Sequence, residues 1–273
     1  MRKHFNPLPG FGLTMGFTLF YLSAIVLIPI AAIVLKVTGL GWEEFWRAAT
    51  APRAVAAYKL TFGASFVAAC VNAVFGTILA WVLVRYHFPA KKFVDAMVDI
   101  PFALPTAVAG LTLANLFGPN GWIGEGLAKF GIQAAYNRVG IMIALTFVSM
   151  PFVVRTLQPV IETLERETEE AAATLGAGRL RTFLQVVAPV LLPTLITGFA
   201  LSFARAVGEY GSVIFISSNK PFESEISPLV IITMLEEFEY GSAMSVAVVL
   251  LVVSFLLLGV INVLEKWARR YQT

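Results

Sequence analysis

Apolar runs alternate with short polar intervals along the whole chain. With roughly 20 helical residues needed to cross a hydrocarbon core of about 30 Å, six stretches qualify: 16–37, 60–84, 101–117, 139–157, 191–216 and 243–263. The pattern predicts six membrane helices, the third of them interrupted by Pro101, Pro105 and Gly110. The longest polar interval, 159–193, carries Glu162, Glu165, Arg166, Glu167, Glu169, Glu170, Arg179 and Arg181, too much charge to lie in lipid. Ile161, Leu164, Thr168, Ala171, Ala172 and Leu175 recur there at three- and four-residue steps, which predicts one helix ending at Gly176. After Gly178 the spacing resumes with Leu180, Phe183, Leu184 and Val187 and runs up to Pro189. The interval reads as helix, glycine turn, helix. Its two apolar faces need cover, from the chain's own membrane helices or from another protein.

Basic residues orient these elements. One set of flanks holds Arg2 and Lys3; Arg85, Lys91 and Lys92; Arg155, Arg166, Arg179 and Arg181; and Lys266, Arg269 and Arg270. The opposite set holds Lys36, Arg47, Arg53 and Lys59; Lys129 and Arg138; and Lys220. By the positive-inside rule the richer side is cytoplasmic, which puts both termini and the polar interval inside. The first apolar run is longer than the roughly 7–15 residues of a signal h-region and reads as a retained helix. Of the outer connections, 38–59 contains Trp42 and Trp46 as interfacial anchors, and 118–138 has room for a short amphipathic helix. The third, 217–242, sets Glu223, Glu225, Glu236, Glu237 and Glu239 against Lys220. Its acidity suits a docking surface and a solvated loop alike.

Composition agrees: of 273 residues, 58% are hydrophobic and 14% charged, where a soluble domain carries about 25% charged residues. The net charge of +3 is dispersed, without the basic stripe of a nucleic-acid binder. Cys70 stands alone, and His4 and His87 have no ligand at metal-binding spacing, so no metal site is expected. There is no P-loop, no G-x-S-x-G and no H-E-x-x-H, so the chain is read as neither a nucleotide binder nor an enzyme.

Within the membrane stretches, small residues form ridges at four-residue steps: Asn72, Gly76 and Ala80; Thr106, Gly110 and Ala114; Gly198, Ser202 and Ala206. Such ridges let helices approach closely. Arg205 and Glu209 are the membrane-depth charges, and their i,i+4 spacing predicts a pair on one helix face.

The polar interval resembles the coupling motif of the membrane subunits of ATP-binding-cassette importers: EAA, three residues, Gly, nine residues, I-x-L-P. Glu170, Ala171, Ala172, Gly176 and Pro189 match it, while Val186 and Ala188 stand where Ile and Leu are usual. The stretches AAYKLTF, PFALPTAVAGLTLA, PFVVRTLQPV and ALSFARAVGEYGSVIFI are similar to the T-type permease subunits of bacterial sulfate/thiosulfate importers. That resemblance implies an all-α, type I importer permease fold with six transmembrane helices and cytoplasmic termini. It places residues 1–59 as tail, first helix and first periplasmic loop, 60–263 as the transmembrane core with a coupling loop at 159–190, and 264–273 as a cytoplasmic tail. It implies a homologous W-type permease, two ATPase subunits that bind the ATP, and a periplasmic sulfate/thiosulfate-binding protein, all at the inner membrane. No cofactor belongs to this chain in that scheme. A dianion that must also leave the path suggests neutral donors such as Thr106, Asn115, Ser149, Ser202 and Ser212 as its lining. The competing expectations are a molybdate/tungstate permease and an ion-coupled secondary anion transporter using Arg205 and Glu209.

Overall fold

In the computed structural model, residues 10–269 are described, with side chains as far as Lys266. Arg2, Lys3, His4 and Arg270, used in the arguments above, lie outside the described residues. The described chain is all helix and connections: α1 (Phe11–Thr38), α2 (Trp42–Ala49), α3 (Pro52–Arg85), α4 (Lys91–Val98), α5 (Ile100–Ala103), α6 (Thr106–Phe117), α7 (Trp122–Ala128), α8 (Arg138–Thr163), α9 (Arg166–Thr174), α10 (Arg179–Thr182), a π-helical turn (Phe183–Val187), α11 (Ala188–Val207), α12 (Val213–Ile216), α13 (Ser227–Glu236) and α14 (Tyr240–Arg269).

Among the described residues, five helices are long and apolar enough to cross a membrane: Phe11–Thr38, Pro52–Arg85, Arg138–Thr163, Arg179–Val207 and Tyr240–Lys266. The third apolar stretch of the sequence is not one helix. Pro101 lies in the first turn of α5 and Pro105 separates α5 from α6. The 12 residues of α6 extend about 18 Å, short of a crossing. The fifth stretch also differs from expectation at both ends. Its helix stops at Val207 and Gly208, leaving α12 as a single detached turn. At the other end it continues back through the π turn to Arg179, so the second helix of the polar interval is the beginning of this rod. The π turn has a local cause. Pro189 has no N–H for the carbonyl four residues back, and its ring crowds that carbonyl. A wider turn relieves this, with Ala188 N–H donating to the Phe183 carbonyl.

At the centre, α3, α8 and α11 pack against one another. The small-residue ridges explain how. A Cβ at Gly76 of α3 would lie 3.0 Å from Val153 Cβ, and one at Gly198 of α11 would lie 3.2 Å from Val153 Cα. Both neighbours of α8 therefore close on the same residue. Asn72 ties the three helices together by donating to the Thr146 carbonyl (3.1 Å) and to the hydroxyls of Ser149 (2.9 Å) and Ser202 (3.2 Å). Towards α9, Leu83, Val98, Val154, Leu157, Ile161 and Leu191 form one apolar cluster. At the opposite end, Leu113, Ile141, Leu145, Val213, Ile216 and Leu229 form another. α1 contributes no buried residue and runs along α14.

Local signals set the ends of the long helices. Pro52 opens α3 at a position where its missing N–H costs nothing. The Asn137 side chain caps α8, accepting from the N–H groups of Val139 (2.8 Å) and Gly140 (3.1 Å). In the acidic connection before α13, Glu225 is 4% exposed and takes a two-point bond from Arg53 at 2.8 and 2.6 Å. That residue holds the loop to α3 and is no part of a docking surface. Glu223, Glu236, Glu237 and Glu239 are exposed.

Gly76→Leu is expected to lower stability by about 1–3 kcal/mol through overpacking on Val153. Gly63→Leu, where a Cβ meets nothing within 4 Å, should be neutral. Thermal unfolding of the two variants in the same detergent checks the contrast.

Candidate functional site

The EAA–Gly segment folds as a separate short helix outside the bundle. The helix periodicity that runs from Ile161 to Leu175 is broken in the structure at Leu164, which has ψ 112 and ends α8. Ile161, 1% exposed, belongs to the α8 core, and α9 starts afresh at Arg166. Glu167 and Glu169 lie in its first turn, favourable against the helix dipole. Its end follows from backbone chemistry. Gly176 has φ 83, its N–H donates to the Ala173 carbonyl at 3.0 Å, and the N–H of Ala177 reaches the Ala172 carbonyl at 3.0 Å. This pair of bonds is a Schellman closure, which needs a left-handed residue and so favours glycine. The motif's Ala172 and the neighbouring Ala173 thus supply the carbonyls that close the turn.

Nothing in α9 is buried. Glu170, Ala171 and Gly176 are exposed, Ala172 is half-buried, and Leu175 projects with 88% of its surface free. The helix is fastened to the bundle by Arg85, which bonds Glu169 at 2.6 Å and the Leu164 carbonyl at 3.1 Å while lying over the Trp81 ring. Pro189, the last residue of the motif, is exposed near the start of α11.

A second charged cluster, which periodicity does not single out, joins α4 to α8. Arg155 donates from Nε to Asp99 Oδ1 (2.8 Å), from Nη2 to Asp99 Oδ2 (2.6 Å) and from Nη1 to Asp95 Oδ1 (2.7 Å). Gln158 donates to the same Asp95 oxygen at 3.0 Å. The Gln158 amide, assisted by the Arg155 guanidinium, holds the Asp95 carboxyl below its ordinary pKa. The i,i+4 spacing of Asp95 and Asp99 was the available hint, but their partner lies 56 residues from Asp99.

Arg205 and Glu209 are paired, Nη1 to Oε2 at 2.6 Å, though not on one helix face as expected. Glu209 lies beyond the end of α11. It is 2% exposed, and its other oxygen accepts from the Ser212 N–H and hydroxyl, both at 2.8 Å. One carboxylate therefore neutralises an arginine and holds Ser212, the residue that leads into the detached turn α12. This break fits against α6: a Cβ at Gly110 would lie 2.4 Å from the Ser212 carbonyl oxygen, and one at Gly211 would lie 2.2 Å from Thr106 Oγ1.

The five neutral donors considered for a path fall into separate groups. Thr106 and Ser212 meet at this crossing. Ser149 and Ser202 are fully buried around Asn72 in the bundle centre. Asn115 is on an exposed side of α6 and donates to the Leu111 carbonyl at 3.0 Å. They do not converge on a single lining.

Glu209→Gln keeps an acceptor for Ser212 but strands the Arg205 charge, with an expected loss of about 1–3 kcal/mol. Arg205→Met combined with Glu209→Gln should recover most of it, which a double-mutant cycle of unfolding temperatures measures. For Asp95 the depressed folded pKa gives a contribution fully present above the unfolded value of about 4 and lost as pH falls through the folded one. Hydrogen exchange of α4 amides should show the same protection at pH 7 and 5, once corrected for intrinsic rates, and loosening in more acidic solution.

Known proteins share this sequence pattern and fold. Residues 72–270 match the family described as binding-protein-dependent transport system inner membrane component. The sulfate transport system permease protein CysT of Synechocystis sp. is 53% identical over 254 residues, covering 93% of this chain and 89% of the relative. That of Salmonella typhimurium is 50% identical over 264 residues, covering 96% and 95%. A chain of a bacterial ABC transporter involved in the import of the acidic polysaccharide alginate has the same fold, with TM-score 0.77 over 94% of this chain and 96% of its own, at 14% identity. The protein is thus a multi-pass membrane permease of the ABC importer type, and it belongs to the family of CysT sulfate transport system permeases.

Proposed function

We propose that this chain is the T-type permease subunit of an ATP-driven sulfate/thiosulfate importer of the bacterial inner membrane. It forms the translocation path with a homologous W-type permease and receives its anion from a periplasmic binding protein. ATP is bound and hydrolysed by two separate cassette subunits. In this reading the chain crosses the membrane six times with both termini in the cytoplasm, the α4–α6 segment completing the sixth passage inside the assembled complex. The anion follows neutral donors, of which Thr106 stands half-buried at the crossing of the two interrupted segments; Ser212 is not among them, since its hydroxyl is given to Glu209. Residues 60–263 are then the transmembrane core.

The observation that carries the coupling role is α9. A nine-residue helix with no buried side chain is not held in place by its own propensity, since an isolated helix shorter than about 12 residues is marginal in water. Its exposed Glu170, Ala171 and Leu175 fit a cleft on an ATPase subunit, which would supply the missing cover. Sulfate as the cargo is supported by relatives about half identical over nearly the whole chain and named for sulfate transport.

The test is reconstitution of the full complex in vesicles. Proline cannot adopt the φ of 83 found at Gly176. Gly176→Pro is therefore expected to lower ATP-driven sulfate uptake roughly tenfold or more, equivalent to at least about 1.4 kcal/mol of lost coupling. The bundle's unfolding temperature should stay unchanged. Glu170→Lys should act in the same direction by weakening ATPase capture. Survival of both uptake and ATPase docking in the two variants would sink the coupling role, and stronger competition by molybdate than by thiosulfate would reassign the cargo.

A further inference from the structure

Between the last turns of α3 and the α9–π-turn region lies an open cleft of about 1080 Å³. Its deeper wall is apolar: Thr77, Ile78 and Trp81 on one side, Phe183 and Val187 on the other, with the Trp81 and Phe183 rings edge to face at 6.0 Å. Ile78 is 54% exposed although it lies well inside a membrane-spanning helix. The nine helical steps from Thr77 to Tyr86 rise about 14 Å, so the cleft runs from hydrocarbon depth to the headgroup level on the α9 side of the bilayer.

The mouth has a different chemistry. Tyr86, His87 and Arg179 line it. An adjoining recess shares Trp81, Tyr86 and Glu169 with the cleft and adds Arg85, Arg166 and Glu170. Three guanidinium groups therefore face two carboxylates. Glu169 is already committed to Arg85. Among the described residues Arg166 and Arg179 have no ion-pair partner, and Arg85 Nε is buried without a hydrogen-bond acceptor. An apolar slot at acyl-chain depth below an aromatic rim and a surplus of unpaired cations has the chemistry of an anionic phospholipid seat.

We infer that this cleft binds one anionic phospholipid, an acyl chain lying between Ile78, Trp81 and Phe183 and the phosphodiester held at Arg179 and Arg166. The inference needs no assumption about cargo or ATPase. It adds a function to the site, because Glu169, Ala173 and Ala177 form the far wall. The lipid would fill the space between α9 and the bundle and set the position from which α9 meets its partner.

Trp81 is the built-in reporter. The full chain, with Trp42, Trp46, Trp122 and Trp267 replaced by Phe, is placed in phosphatidylcholine vesicles. They are doped with acyl-brominated phosphatidylglycerol or, in parallel, acyl-brominated phosphatidylcholine. The anionic lipid should quench Trp81 in preference, saturating at low mole fraction. Arg179→Gln, an exposed position, should lower that preference about fivefold, the worth of one basic residue near a charged headgroup. Arg181→Gln, whose guanidinium is bonded to Gln185 and does not line the cleft, should not change it. Equal quenching by the two lipids would reduce the cleft to ordinary bulk contact. No quenching by either would show that protein fills it, and an Arg179→Gln result matching Arg181→Gln would remove the headgroup assignment. Each of these three outcomes overturns the proposal.

Discussion

The bundle depends on one amide. In lipid, helices gain nothing from burying leucine against leucine, so association rests on close approach and on polar groups that pair across helices. Asn72 meets both needs. It is 1% exposed and donates to α8 and α11 at once. The glycines on either side of Val153 let the two neighbouring helices come near enough for those bonds to form. Interhelical bonds of this kind contribute on average about 0.6 kcal/mol each in a membrane. What they fix is mainly register: sliding α3 by one turn would leave the amide without acceptors in hydrocarbon. Every outlying element is positioned relative to that register.

The interrupted segments are arranged by the same economy. A backbone without regular hydrogen bonds is tolerated at membrane depth when protein covers it. Here the break after α11 is covered by α6, itself the remnant of a broken stretch, and glycines at 110 and 211 permit the backbones to touch. The buried Glu209 then satisfies Ser212, at the entry to the turn beyond the break, and the arginine before it. Replacing it therefore disturbs a helix end and a charge together.

Much of this was legible in the sequence where the governing interactions are local. The apolar runs, the small-residue ridges and the glycine that stops α9 each leave a mark within a few residues, and the resemblance named the family whose relatives the comparisons returned. The failures have a common cause. Apolar spacing continues smoothly through Leu164, yet the Leu164 carbonyl is turned out to meet Arg85, 79 residues away in the chain. Spacing of i,i+4 joined Arg205 to Glu209, but Gly208 and the pull of Ser212 take Glu209 off the helix. The α4–α8 clamp was invisible for the same reason. Residue types likewise named five hydroxyl and amide donors without telling which of them face each other.

α3 gives the design a mechanical character. It is 34 residues long and has no proline after its first position; at about 51 Å it overhangs a hydrocarbon core of about 30 Å at both ends. Its first turn is clasped by the Arg53–Glu225 bond and its last by the Arg85–Glu169 bond. The two clasps grip opposite faces of the membrane through a single stiff push-rod. The loop that carries Glu225 and the helix α9 are thus tied to the two ends of the same unbroken rod.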